Sequence, residues 1–314
     1  MGSSLSTLLP MLMPLLDWWD GFWSTYNTVV FSIGVNAMLA LSIYITLSCG
    51  LLSLANAAFM GIGAYAASLV TMHTGLPFGV ALALAGLLPA LVALIIGIPT
   101  LRLSGVYLAM ATLGFGEVVR VIILNLDFTG GPMGINGIPQ KTEFWHILLL
   151  LGATLYLLAR LRRSKLGRAF EAIKEDDTAA RLMGIDVASC KLLAFVIGAV
   201  IAGVAGGLNA HYTFTIGPGN YAFENAVDIL TMAVFGGTSN LIGPTIGATI
   251  LTLLPEVLRG FKDFRLAANG LILVLVILYL PKGIWDPRRI RGLLGRHRAP
   301  MQPDAAKADS DAAV

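Results

Sequence analysis

The feature that most constrains this chain is a succession of apolar runs about 20 residues long, the length an α-helix needs to cross a hydrocarbon layer of ~30 Å. They fall roughly at 27–49, 51–72, 77–98, 105–126, 144–161, 189–210, 226–240, 241–258 and 266–281. Of the 314 residues, 56% are hydrophobic and only 12% charged, against about 25% in an ordinary soluble domain. So few charges could not cover a water-soluble body of this size. The expected fold class is an all-α polytopic membrane protein with about 8–10 transmembrane helices.

The organisation expected around these runs has three parts. Residues 1–26 form an N-terminal segment in which Leu5–Leu16 is apolar but carries Pro10 and Pro14, followed by Trp18, Trp19 and Trp23. Tryptophan favours the membrane–water boundary, so an interfacial segment is expected, with a spanning helix as the alternative. Residues 27–286 form the transmembrane domain. Residues 287–314 form a tail that starts basic and becomes rich in Ala, Asp and Pro, a composition that favours disorder. No lysine or arginine precedes Arg102, so the positive region of a cleavable signal is missing. Cys49 and Cys190 have no second thiol near them in sequence and read as buried small residues.

Lysine and arginine set the expected orientation. One basic group, Arg160, Arg162, Arg163, Lys165, Arg168, Lys174, Arg181 and Lys191, lies mid-chain, and another begins at Lys282. Cytoplasmic loops carry the excess of basic residues, which places both groups and Arg102 inside and loops 127–143 and 211–225 outside. The cost is to leave Arg259, Lys262 and Arg265 outside. Gly203-xxx-Gly207, Gly243-xxx-Gly247 and Ala57-xxx-Gly61 have the small-xxx-small spacing of closely packed membrane helices. Gly236-Gly237-Thr238-Ser239-Asn240 is polar inside an apolar stretch and predicts a helix break or re-entrant turn, tolerated only where protein or a water-filled cavity receives the backbone groups. Leu108–Gly114 echoes Leu230–Gly236 faintly, as an internal repeat would.

Several chemistries are missing from the pattern. No lysine follows a glycine, as a Walker A loop requires. His73, His146, His211 and His297 are scattered, and there is no Gly-x-Ser-x-Gly elbow. The chain does not read as an enzyme, as binding a cofactor of its own, or as a nucleic-acid binder. Glu117 and Arg120 are spaced to neutralise each other on one helix face, so a proton relay has few acidic groups to work with.

The one long polar segment is Arg160–Asp186. Leu166, Phe170 and Ile173 recur at helical spacing. Glu171 with Lys174, and Asp177 with Arg181, are spaced for pairs along a helix surface. Asp176 or Asp177 can cap a second helical turn and Gly184 can end it. A loop that merely anchors topology needs the basic residues but has no use for the apolar stripe.

Gly167–Asp186 (GRAFEAIKEDDTAARLMGID) closely resembles the cytoplasmic segment of branched-chain amino acid ABC transporter permeases of the M type. The resemblance extends to Gly50–Leu69, Arg102–Arg120, Thr129–Pro139, Phe235–Ala248 and Leu253–Arg259, in order, and covers the chain from about Ser32 to Asp286. It departs at Ala55-Asn56-Ala57-Ala58-Phe59, where the family usually has His in place of Asn56; an Asn keeps the hydrogen bonding and loses the titration.

The resemblance implies an importer permease fold and a multi-pass subunit of the bacterial inner membrane with a cytoplasmic C-terminus. Its partners would be a paralogous H-type permease, two ATP-binding subunits that hold ATP and Mg, and a periplasmic substrate-binding protein. It implies that the loop 162–188 docks on an ATP-binding subunit through Leu166, Gly167, Arg168, Phe170, Glu171, Ala172, Ile173, Asp176, Asp177, Arg181 and Gly184, with Leu166, Phe170, Ile173 and Glu171 as the contact face. The substrate path is expected at the glycine-broken stretches, whose unwound backbone offers polar groups to a zwitterion. These are Asn56, Phe59, Gly61 and Gly63; Thr112, Phe115 and Glu117; and Gly236, Gly237 and Asn240. The same family also serves urea, short amides and aromatic compounds, and a self-contained secondary carrier is the further alternative.

Overall fold

The computed structural model describes residues 5–257 other than Ser239, with side chains described from Tyr26 to Glu256. Ten α-helices dominate the described residues: α1 (Leu5–Ser48), α2 (Asn56–His73), α3 (Phe78–Thr100), α4 (Val106–Asn125), α5 (Phe144–Arg163), α6 (Lys165–Glu175), α7 (Asp177–Leu182), α8 (Val187–Thr213), α9 (Phe223–Gly236) and α10 (Ile242–Val257). Two short strands, β1 (Ile135–Asn136) and β2 (Thr215–Ile216), pair antiparallel. Five stretches are long and apolar enough to cross a membrane: Tyr26–Ser48 within α1, and α3, α4, α5 and α8.

Helix α8 is the central member, packed against α1, α2 and α3. Its glycines make this possible. A Cβ on Gly203 would collide with the Ala85 carbonyl and the Pro89 ring, one on Gly206 with the Met60 carbonyl, and one on Gly63 of α2 with the Gly203 backbone. Without a hydrophobic drive between helices in lipid, such close backbone contact is what holds them together. The same device joins α9 to α10, where Gly236 lies against Gly243 and Gly247. The motifs at Gly203 and at Gly243 thus do the packing they predict, whereas Gly61 of the third meets the Tyr221 ring instead of a helix backbone.

The elements sort to two ends. At one, β1 and β2 tie loop 127–143 to the loop after α8, with Ile135 opposite Ile216. There Thr71 Oγ1 lies 2.9 Å from His211 Nε2, and the Phe78 ring sits 5.4 Å from His146 and 5.1 Å from His211. At the other end are the last turn of α5, helices α6 and α7, and the start of α8. Arg102 belongs to that end, because Gly97 of α3 lies against Leu192 and Phe195 of α8. The paired strands of both loops expected on one side share one end, Tyr221 reaches in from there to Gly61 of α2, and the polar segment occupies the other end.

Two expectations are corrected. The second span was placed at 51–72, but α2 begins at Asn56. Residues 51–55 are non-helical, with Leu51, Ser53 and Ala55 buried. That backbone is satisfied within protein: Leu54 N–H donates to Thr112 Oγ1 at 3.0 Å and Ala55 N–H to Ser53 Oγ at 3.3 Å. The runs at 226–240 and 241–258 are found as α9, of 14 residues, and α10, described from Ile242 to Val257. The break between them falls where the glycines predict it, at Gly237 with φ 98°. Finally, α1 runs from Leu5 without a break between the segment expected at the interface and the first span.

The echo between Leu108–Gly114 and Leu230–Gly236 does not correspond to equivalent positions. Gly114 lies inside α4 with open space beside it, whereas Gly236 ends α9 against α10. The run at 266–281, the tail 287–314 and the cluster Arg259, Lys262 and Arg265 lie outside the described residues.

Candidate functional site

Helices α6 and α7 form a built unit. Ser164 caps α6 by accepting from Gly167 N–H at 3.3 Å. Gly167 is required there, since a Cβ would run into the Leu161 and Arg162 carbonyls. Asp176 caps α7, its Oδ1 accepting from Thr178 N–H at 2.7 Å and Ala179 N–H at 3.0 Å. Gly184 turns the chain out of α7 with φ 80°, a conformation that suits glycine. Asp186 then caps α8 through Ser189, and the Ser189 hydroxyl and N–H hold its carboxyl below the ordinary carboxylate value.

The face expected to dock is corrected by burial. Phe170 and Ile173 are 2% and 3% exposed and point into the protein body, so they fasten α6 rather than meet a partner. Leu166, Arg168 and Glu171 stay exposed, and so do Arg181, Leu182 and Met183 on and after α7; Ala172 is half-buried. Leu182 and Met183 are exposed by 85% and 83%, and sequence periodicity missed them because α7 is too short to show a period. The ion pairs also differ from the helical spacing. Glu171 Oε1 lies 3.7 Å from Arg162 Nε of α5, and Asp177 pairs with Lys191 of α8. Both pairs bind the unit to its neighbours instead of running along its own surface.

The residues expected to line a path separate into two groups. Asn56 is buried and donates to Ser42 Oγ at 2.7 Å. Phe59 is buried with its ring 5.6 Å from Phe115 and 5.3 Å from Phe195. Thr112, wholly buried, supports Leu54. Gly61 and Gly63 admit Tyr221 and Gly203 respectively. Glu117 pairs with Arg120 at 2.8 Å, as its spacing predicts, and edges a crevice of about 10 Å³ with Leu54, Ala57 and Tyr221. That volume suits roughly a single water, and this group packs α2 against its neighbours in this structure. Gly236, Gly237 and Asn240 form the other group, at the α9–α10 turn, where Asn240 Oδ1 accepts from Arg162 Nη1 at 3.1 Å.

A larger opening lies elsewhere. A groove of about 320 Å³ is bounded by Ser32, Val35, Asn36 and Leu39 of α1, Met60 of α2 and Asn209 of α8. Asn220 and, from α9, Asn225, Asp228, Ile229 and Met232 complete it. Its size falls at the small end of solute-binding sites. Sequence reading missed it because four separate stretches build it and none carries a motif.

An all-helical body with several membrane-length apolar helices, a capped helix pair at one end and a polar groove towards the other defines the class as a polytopic membrane transport subunit. The family model described as branched-chain amino acid transport system, permease component, matches residues 25–280. The chain belongs to that family. It is 34% identical over 291 aligned residues to the LivM permease proteins of the high-affinity branched-chain amino acid transport systems of Salmonella typhimurium and Escherichia coli, covering 82% of this chain and 67% of each relative. It is also 33% identical over 147 residues to the LivH permease protein of Escherichia coli, covering 46% of this chain and 47% of that one. No solved structure matches the chain.

Proposed function

We propose that this chain is a transmembrane permease subunit of an ATP-binding cassette importer for branched-chain amino acids, leucine, isoleucine and valine. It would form the path together with a paralogous permease of the H type. The observation that carries this reading is the α6–α7 unit within a family member: a separately capped helix pair, fastened by Phe170 and Ile173, that presents Leu166, Glu171, Leu182 and Met183 outward. Nothing in a simple connector calls for two caps, a buried anchor and an exposed apolar edge.

In this reading α6–α7 faces the cytoplasm and docks on one of two ATP-binding subunits, which hold ATP and Mg and hydrolyse the nucleotide. The β1–β2 end faces the periplasm and receives a substrate-binding protein. The complex sits in the bacterial inner membrane with the C-terminus of this chain in the cytoplasm. Movement of the ATP-binding subunits would act on α6–α7 as a unit, because Arg162–Glu171 and Asp177–Lys191 tie it to α5 and α8.

The test is a reconstituted complex of all subunits in proteoliposomes, carrying Glu171→Lys together with Leu182→Asp. Loss of leucine-stimulated ATP hydrolysis, or of the ATP-binding subunits from the purified complex, is the expected result. Unchanged stimulation and assembly would remove α6–α7 as the docking surface. Leucine uptake by this chain alone, driven by an ion gradient without ATP, would overturn the importer reading itself.

A further inference from the structure

We propose that the groove between α1, α2, α8 and α9 is a binding site for a zwitterionic aliphatic amino acid, with Asp228 taking its ammonium group. The proposal rests on the amino-acid importer reading and adds the residues that would hold the solute. Three polar side chains of the groove already have partners. Ser32 Oγ donates to the Thr28 carbonyl at 2.8 Å, Asn36 Nδ2 to Thr252 Oγ1 at 2.9 Å, and Asn225 Nδ2 to the Asn220 carbonyl at 2.7 Å. The side chains of Asn209, Asn220 and Asp228 have no hydrogen bond or ion pair with any described residue.

This division is chemically specific. The free set holds one carboxylate, which accepts, and two carboxamides, each with an N–H₂ that donates. An α-amino acid presents the complement, an ammonium with three N–H donors and a carboxylate that accepts. The remaining wall is apolar, from Val35, Leu39, Met60, Ile229 and Met232, and suits an aliphatic side chain. The position of Asp228 adds weight. It lies five residues into α9, about 7.5 Å along the axis, in a helix whose only other charged residue is Glu224 in the first turn. An ionisable group in such a helix is costly and usually marks a substrate or ion pathway. In the α6–α7 unit, by contrast, Glu171, Asp176 and Asp177 are accounted for by capping or pairing, and only Glu175, exposed to water at the end of α6, is not.

The experiment uses the complete complex in proteoliposomes, with the binding protein loaded with L-leucine. Asp228→Asn should assemble and keep stimulated ATP hydrolysis while leucine uptake falls by about tenfold or more, the worth of a charge-assisted hydrogen bond. Asp228→Glu should recover part of it. Uptake at the wild-type rate in Asp228→Asn overturns the proposal. A second variant keeps Asp228 intact: Met232→Cys in a background with Cys49 and Cys190 replaced by Ser. A water-soluble thiol reagent should modify Met232→Cys, and leucine turnover should slow that modification; no modification, or no protection, also overturns the site. If the wild-type complex does not move leucine at all, the amino-acid reading of the whole protein has failed instead.

Discussion

The acidic residues of the α6–α7 unit and those of the groove are handled in opposite ways. At the α6–α7 end, Asp176 and Asp186 cap helices, and Glu171 and Asp177 each sit beside a cation from a neighbouring helix. Those four carboxylates are used by the fold, and Glu175, exposed at the end of α6, is the exception. In the groove, Asp228 stands on an apolar helix, lines the same opening as the carboxamides of Asn209 and Asn220, and is paired with nothing described. The first arrangement makes a stiff part. The second leaves an acceptor that a solute can satisfy.

That contrast gives an ordered set of expectations for thermal unfolding of the detergent-solubilised protein. The largest effect belongs to Phe170→Ala, which empties a fully buried site and should cost about 3–5 kcal/mol; a loss under about 1 kcal/mol would mean that α6 is not fastened by its buried face. Leu166→Ala, on the exposed side, should leave the melting temperature within error. Next comes Asp177→Asn. Lys191 is 11% exposed and Asp177 39%, so the pair is only partly desolvated, and its loss should cost about 1–2 kcal/mol. Equal stability of variant and wild type in low salt would place that pair among the inconsequential surface contacts.

A smaller effect is confined in pH. The Asp186 carboxyl titrates below its unfolded value because Ser189 bonds to the charged form. The cap therefore contributes fully above the ordinary carboxylate range and is lost as the pH falls through the lowered value. Wild type should exceed Asp186→Ala in melting temperature at neutral pH, and the gap should close only under acid conditions. A gap independent of pH would show that the charge is not what caps α8. Smallest of all is the stability effect of Asp228→Asn, expected to be nil or slightly favourable, since no described group depends on the charge. A marked destabilisation there would erase the distinction between the two regions.

Much of the architecture was legible from apolar length alone. The runs at 77–98, 105–126 and 144–161 became α3, α4 and α5 within a few residues, because in lipid a helix is the simplest way to satisfy every backbone group. The caps at Asp176 and Gly184 were readable because capping is local: it depends on a side chain and amides two or three residues away. What misled was periodicity at a surface. Phe170 and Ile173 mark an apolar stripe equally well whether it meets a partner or the body of its own chain, and only the packing distinguishes the two. Residues 51–55 failed in a similar way. Their composition suits a helix, but Thr112, 58 residues from Leu54, supplies a hydrogen bond that lets the backbone stay non-helical and buried.

The sequence by itself determined a helical membrane protein, its division by a capped polar segment, and its family, because bilayer thickness and capping act over one helix or less. The tertiary structure alone decided which carboxylates are spent on the fold and which are left without a described partner. Glu171 pairs with Arg162 rather than with Lys174, and Asp228 shares with Asn209 the wall of a groove built from four distant stretches. Partners of that kind are set by how helices lie against one another, which spacing along a single chain does not specify.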